Sequence, residues 1–394
     1  MELNGIKWVG EIPIDWKKYR LKELVAIQNG REIENEFDEG IPVYGSGGVF
    51  KYTDRFIYDG KSVLLGRKGT IDNPQYVEGK FWTVDTSYYT VVNEKKLLTK
   101  LFYYMCQCFD YKYFQTGSTL PSMTQLDLGL IILPVPNLLE QEGILNFLDN
   151  KVRQIDKAIK LLEQEIVEIK EYIQALIEEN TNDISWKEYR FKNLISVLTD
   201  YTANGSFQSI ANNVQYLDNE NYARVIRLTD LRVNFENTGL YVDKHAYKFL
   251  NKSSLHGNEL LLANVGAYAG LTMLMPKVDF ISTLGPNMYL IRPNIKLISS
   301  KFLYYTMQSN YVMEQLKNKS TASAQPKLNK QDVKTIYLRI PSLAKQEAIL
   351  KDLEKKIKLA EILITKKNNQ LKTIILLRKS LIFEYVTGKK RVGM

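Results

Sequence analysis

Residues 137–179 read NLLEQEGILNFLDNKVRQIDKAIKLLEQEIVEIKEYIQALIEE. Within this stretch apolar side chains recur at Leu145, Leu148, Val152, Ile155, Ile159, Leu162, Ile166, Ile169, Ile173 and Leu176, in alternating steps of three and four. That spacing predicts one unbroken helix carrying a heptad seam. Pro136 and Asn137 open the run, and Glu140 stands three residues after Asn137, where a capping box places its reciprocal partner. A helix of about 40 residues rises roughly 60 Å, so the stretch is expected to be a rod that holds other parts of the chain apart.

The rod is written twice. A constant register sets Pro136 on Pro341, Gln141-Glu142 on Gln346-Glu347, Leu145 on Leu350, Leu148 on Leu353, Val152 on Ile357 and Ile159 on Ile364. The second seam continues through Leu371, Ile374 and Leu381, with Lys367 and Arg378 interrupting it. The match extends before the helix: Leu120-Pro121-Ser122-Met123 answers Gln325-Pro326-Lys327-Leu328, and Lys100 to Tyr104 answers Lys301 to Tyr305. Trp16 to Lys22 likewise answers Trp186 to Lys192, so the chain is a tandem repeat of a globular domain followed by a long helix.

The chain has 394 residues, 45% of them hydrophobic, which is ample for two globular domains and their helices. No run approaches the roughly 18 apolar residues of a membrane span, and Met1 to Trp8 lacks an apolar signal core. A soluble, cytoplasmic protein is therefore expected. Cys106 and Cys108, the only cysteines, lie in an aromatic stretch and are expected to be reduced core thiols. With His245 and His256 they make no recognisable zinc spacing. The formal charge of +9 suggests an acidic partner, nucleic acid first. It is unevenly shared, since the first helix is acidic (Glu163, Glu165, Glu168, Glu171) and the second basic (Lys351, Lys355, Lys356, Lys358, Lys366). Opposite charge favours pairing the two helices with each other.

In chain order, short strand-like segments fill the first domain: Ile41 to Tyr44, Ser62 to Leu65, Phe81 to Val84 and Tyr88 to Val92. Leu97 to Tyr111 reads as a helix, and Leu130 to Val135 as a strand leading into the rod. The second domain repeats the order with a longer insert, through strands at Tyr222 to Leu228, Leu260 to Asn264 and Met288 to Ile291 and a helix at Phe302 to Leu316. The expected division is a first domain over 1–136, a helix over 137–180, a second domain over 181–341, a helix over 342–388 and a basic tail over 389–394. To bury its seam the second helix runs back along the first. The fold class is thus α+β, two domains in tandem repeat separated by two long helices forming an antiparallel coiled coil.

No catalytic constellation emerges. Gly60-Lys61-Ser62 ends like a phosphate-binding loop, but Arg55 stands where its first glycine belongs. Asn73-Pro74-Gln75-Tyr76 lacks the second proline of an amino-methyltransferase motif and reads as a turn, and Asp72, Glu78 and Lys80 match a metal-dependent nuclease spacing only loosely. What remains is binding. Ser46 to Lys51 and Arg67-Lys68-Gly69-Thr70 combine cations, hydroxyls and flexible backbone, the donors that DNA phosphates and base edges accept. The polar loop holding Ser118 and Thr119 joins them; in the second domain the candidates are Arg224, Arg227, Asn264, Tyr268, Ser320, Thr321 and Lys327. The domains agree in scaffold but not in loops, so if loops read a ligand, the halves read different ligands.

At this point the arrangement resembles the specificity subunit of a Type I restriction-modification system. The resemblance covers essentially the whole chain and rests on four features in fixed order. They are the opening Gly5-Ile6-Lys7-Trp8-Val9-Gly10-Glu11-Ile12-Pro13-Ile14-Asp15-Trp16, the Pro-x-x-x-x-Gln-Glu helix openings at Pro136 and Pro341, the Gly117-Ser118-Thr119 loop, and the closing Val386-Thr387-Gly388-Lys389. It implies two target-recognition domains, each reading half of a split DNA sequence, with the helices as a ruler. It also implies two methyltransferase subunits docked on the helices, with Gln141, Glu142, Gln346 and Glu347 as partner-binding positions. Restriction subunits complete the expected complex. S-adenosylmethionine, ATP and Mg2+ are then expected on those partners, not on this chain. Two other classes stay open: a stand-alone nuclease using Asp72, Glu78 and Lys80, and a coiled-coil adaptor that never touches DNA.

Overall fold

The computed structural model describes residues 5–6, 8–111, 121–320 and 326–392. The chain divides into two units, residues 1–164 with 367–394 and residues 165–366. Both rods are single α-helices of 44 residues, Leu138–Thr181 and Leu343–Val386, and each contributes one segment to either unit.

In the first unit Val25–Asn29, Ser87–Val92, Ser62–Gly66 and Gln75–Val77 form an antiparallel sheet in that order. A second sheet runs Gly48–Thr53, Ile41–Gly45, Lys80–Thr83, Tyr58–Asp59, with one parallel pair, Lys80–Thr83 on Ile41–Gly45. Every residue of Ser62–Gly66 is buried, which explains its unalternating Val63-Leu64-Leu65 run. Part of its pairing with Ser87–Val92 passes through side chains: Ser62 Oγ donates to the Thr90 carbonyl (2.8 Å) and Thr90 Oγ1 to that of Val63 (2.9 Å). The core joins Trp16, Leu21, Leu101, Phe102 and Met105 of the domain to Ile144 and Leu148 of one long helix and Ile382 and Val386 of the other.

The same topology returns in the second unit. Ile195–Asp200, Met288–Pro293, Leu260–Ala263 and Thr272–Leu274 make the antiparallel sheet. Leu240–Val242, Ala223–Ile226, Ser282–Leu284 and Ser254–Leu255 make the other, again with one parallel pair in the middle. The expected helix Leu97 to Tyr111 is shorter here, Thr99–Cys106, and the one expected over Phe302 to Leu316 is two, Ser300–Thr306 and Asn310–Lys319. Ser309 causes the break, its side chain capping the second piece.

All ten seam positions of the first long helix are buried or half-buried. Its run is antiparallel to the second helix within each unit: in the first, Phe147 meets Tyr385 (4.5 Å between rings) while Asp156 accepts from Arg378 Nε (2.7 Å). In the second, Ile173, Leu176 and Ile177 pack on Leu353 and Ile357. Arg378, which breaks the seam, also donates to Gln107 (2.8 Å), so its charge is met on both sides. Asn137 caps the first rod by accepting the Glu140 N–H (3.0 Å), but the Glu140 carboxylate turns to the Trp16 indole N–H (3.1 Å) instead of completing a box.

The tail 389–392 is folded, not loose. Lys389 Nζ donates to the Glu11 carbonyl (2.7 Å), Arg391 pairs with Asp15, and Gly388, at φ +74°, lies where any side chain would collide with Pro13. Cys106 is buried and Cys108 half-buried, and both are free thiols. Burial pushes both up, Cys108 to about 12, so neither is a thiolate at neutral pH. Among the described residues no helix is long and apolar enough to cross a membrane.

Candidate nucleic-acid interface

The strand Ser62–Gly66 ends in the loop holding Arg67, Lys68 and Thr70. Its backbone is fixed from two sides. The Arg67 N–H donates to the Thr86 carbonyl (2.8 Å), the Gly69 N–H to that of Pro121 (3.1 Å), and the Met123 N–H to that of Arg67 (3.0 Å). Gly69 makes the turn at φ +81°, a conformation that costs other residues energy. The second domain repeats this atom for atom. There Asn264 N–H donates to Asn287 (3.1 Å), Gly266 N–H to Pro326 (2.9 Å), and Leu328 N–H to Asn264 (2.9 Å), with Gly266 at φ +84°. A tyrosine hydroxyl closes each cradle from below, Tyr88 onto Met123 (3.1 Å) and Tyr289 onto Leu328 (2.8 Å).

The first cradle gathers most of its expected residues. Arg67 lies over Tyr88 (5.9 Å) and reaches the Asp85 carbonyl (3.4 Å), while Lys68 and Thr70 are exposed. Ser46 joins them, since an added Cβ on Gly69 would lie 3.4 Å from its hydroxyl. Arg67, Lys68, Tyr88, Ser122 and Gln125 line an open cavity of about 470 Å³ beside the loop. Lys51 is engaged elsewhere, paired with Glu36. Ser118, Thr119 and Thr321 lie outside the described residues.

In the second cradle Asn264 is 8% exposed, and its Oδ1 has no hydrogen-bond partner. Tyr268 is 46% exposed, Lys327 is exposed and bridges to Val265, and Ser320 lines a cavity of about 510 Å³ with Gly266, Gly270 and Met313. Arg224 and Arg227 do not belong to this surface. Both turn to the fully buried Asp230: Arg227 grips it with two bonds (3.0 and 2.9 Å), and Arg224 lies 3.8 Å away between Phe235 and Phe280. Burial works to raise the Asp230 carboxyl, but bonds from Arg227 and Asn237 outweigh it and hold the pKa below its ordinary value. A buried carboxylate needs such partners, so the two arginines are structural.

Gln141 and Gln346 also prove internal. Gln141 accepts the Leu98 N–H (2.9 Å) and donates to the Lys96 (2.8 Å) and Pro136 (2.9 Å) carbonyls. Gln346 does the same with Ser299 (3.0 Å), Leu297 (2.8 Å) and Pro341 (3.0 Å). Each locks the first turn of a rod to its own domain, leaving Glu142 and Glu347 as the exposed members of these pairs. A second fastener repeats too: Lys100 pairs with Asp149 (2.6 Å) and Lys301 with Glu354 (2.8 Å).

The fragments that tempted a catalytic reading are accounted for otherwise. Glu78 accepts from the Tyr76 hydroxyl (3.2 Å), and Lys80 lies over Phe56 (5.0 Å). Among the described residues no group of three or more His, Cys, Asp or Glu could hold a metal. Arg232, stacked on Tyr268 (4.4 Å), escaped the sequence reading because its helix has no counterpart in the first domain.

A family model, the Type I restriction modification DNA specificity domain, matches residues 13–171 and again 185–373. The Type I restriction enzyme EcoDI specificity subunit of Escherichia coli is 23% identical over 96% of this chain and 90% of its own length. The EcoBI specificity subunit of the same organism is 22% identical over 98% and 88%. Among solved structures, a chain from work on complex assembly and conformational transition of the type I R-M system matches with a TM-score of 0.71. That match, at 13% identity, covers 96% of this chain and all of the other.

Proposed function

Because the chain belongs to the family of Type I restriction modification DNA specificity domains, we propose that it reads the DNA target of a Type I restriction-modification complex. Each domain reads one half of a split, asymmetric sequence, and the 44-residue helices set the spacer between the halves. One observation carries the reading: a backbone cradle built twice with the same hydrogen bonds carries Arg67 and the exposed Lys68 in one domain, and in the other the buried Asn264 and half-buried Val265 with the exposed Tyr268 beside them. A fixed scaffold with exchanged side chains is what two readers of different base edges require.

The chain is the non-catalytic member of its complex. Two methyltransferase subunits and restriction subunits dock on it, with Glu142 and Glu347 as exposed contact positions at the helix openings. S-adenosylmethionine, ATP and Mg2+ are bound by those partners, which methylate adenine and cleave. The complex works in the cytoplasm. The test is single-molecule sequencing of methylated adenine across the host genome, with and without the gene. A split motif that loses methylation in the deletion is the expected result; identical methylomes, together with no salt-sensitive duplex binding by the purified complex, would refute the reading.

A further inference from the structure

At the two cradle positions where the first domain carries Arg67 and Lys68, the second carries no cation. A neighbouring element supplies one. In the first domain the paired strands Ile41–Gly45 and Gly48–Thr53 are joined by Ser46 and Gly47, and that turn touches the cradle at Gly69. In the second domain the corresponding pair, Ala223–Ile226 and Leu240–Val242, is joined by a longer connection containing the helix Leu228–Arg232. Corresponding elements meet corresponding loops, because the Arg232 guanidinium lies 4.4 Å from the ring centroid of Tyr268 in the second cradle.

The helix is held firmly for its size. Asp230 accepts from the Arg227 N–H (2.7 Å) and side chain, and from Asn237 Nδ2 (2.7 Å), while Leu231 is buried against Ile226 and Leu261. Asn234 and Phe235 follow at φ +48° and +62°, turning the chain back so that the Phe235 N–H reaches the Asp230 carbonyl (2.8 Å). The network engages Arg224 and Arg227 and leaves out Arg232, which is exposed and has no carboxylate partner among the described residues.

We propose that Arg232, stacked on Tyr268, is a base-reading residue of the second domain and meets the guanine edge of a G·C pair in that half-site. This rests on the chain being a DNA specificity subunit. A planar guanidinium matches the O6 and N7 acceptors of guanine with two parallel bonds. A cation–π contact with the exposed Tyr268 ring restrains the guanidinium while no carboxylate among the described residues takes its N–H donors. Tyr268 is the positioning residue.

The test uses the assembled complex with its partner subunits, scored by methylome sequencing and by competition among duplexes that differ at one base pair. Arg67→Ala marks the half-site of the first domain. Arg232→Ala is expected to lose discrimination by about 10- to 100-fold at one G·C position of the other half-site, leaving the first unchanged. Arg232→Lys recovers only part of it, and Tyr268→Ala keeps the base preference with weaker binding. An unaltered melting temperature for Arg232→Ala, which lies outside the Asp230 network, shows that the domain is folded. Uniform weakening on all sequences with a shallower salt dependence marks a phosphate contact and overturns the proposal, as does an unchanged motif. A wild-type complex with no split motif overturns the underlying function as well, which separates the two failures.

Discussion

The two cradles share their hydrogen bonds and differ in the side chains at matching positions: cations at Arg67 and Lys68 on one, a buried amide and a half-buried valine at Asn264 and Val265 on the other. The surroundings differ in the same way. Trp16 donates its indole N–H to Glu140, whereas the equivalent Trp186 has a buried, unpartnered N–H and Lys345 over its ring at 5.3 Å. Backbone geometry is thus repeated where it supports the loops, and side-chain chemistry is exchanged even where a scaffold bond is lost with it.

The sharpest way to break the comparison is Asp230→Ala. It leaves Arg224 and Arg227 uncompensated and has no counterpart in the first domain, so a loss of about 3–5 kcal/mol is expected in the second domain alone, read from urea unfolding followed separately in each domain by hydrogen exchange. The same group gives a pH signature. Its folded pKa lies below the ordinary 3.8, so the stability it adds is present above 3.8 and is lost as acid takes the pH down through the folded value. Equal losses in both domains would show that the network is not specific to the second.

Next in size, Gln141→Ala and Gln346→Ala should each cost about 2–3 kcal/mol by stranding backbone groups, with matching effects because the two locks match bond for bond. A shift in the denaturation midpoint for one and not the other would contradict the repeat. Arg67→Ala should relax one half-site by about 1–3 kcal/mol, and Tyr268→Ala, at the exposed residue of the second cradle, should weaken binding at the other alone. Methylome sequencing that found both half-sites altered by either change would end the assignment of one domain to one half. The smallest expected effect is Lys345→Glu, which offers Trp186 the acceptor that Glu140 gives Trp16. A gain of about 0.5–1 kcal/mol should appear as a raised melting temperature, and a fall would mean that the cation over the ring matters more than the missing bond.

The rods and the tandem repeat were legible because heptad spacing is a long, redundant signal, and the helices begin and end within one or two residues of the expected bounds. The cradle was half legible. Arg67-Lys68-Gly69-Thr70 stood out by composition and lies in the first cradle, whereas Arg224 and Arg227 are tied to Asp230, a pairing their composition alone does not show. A signal existed, since Asp230 follows Arg227 by three residues at a helix start. Gln141 and Gln346 looked like surface residues at helix openings; only the backbone of Lys96 to Leu98 and Leu297 to Ser299 folding over them shows otherwise. Arg232 had no partner position in the first domain from which to infer it.

Arg378 interrupts a periodic seam and meets Asp156 across it. Two helices with heptad repeats can in principle associate in several alignments, one heptad apart, that bury nearly the same apolar area. A half-buried guanidinium in the seam weakens that degeneracy, because a shifted alignment keeps it in the seam without its carboxylate. The pair therefore carries information more than energy: it favours one alignment of the two helices among near-equals.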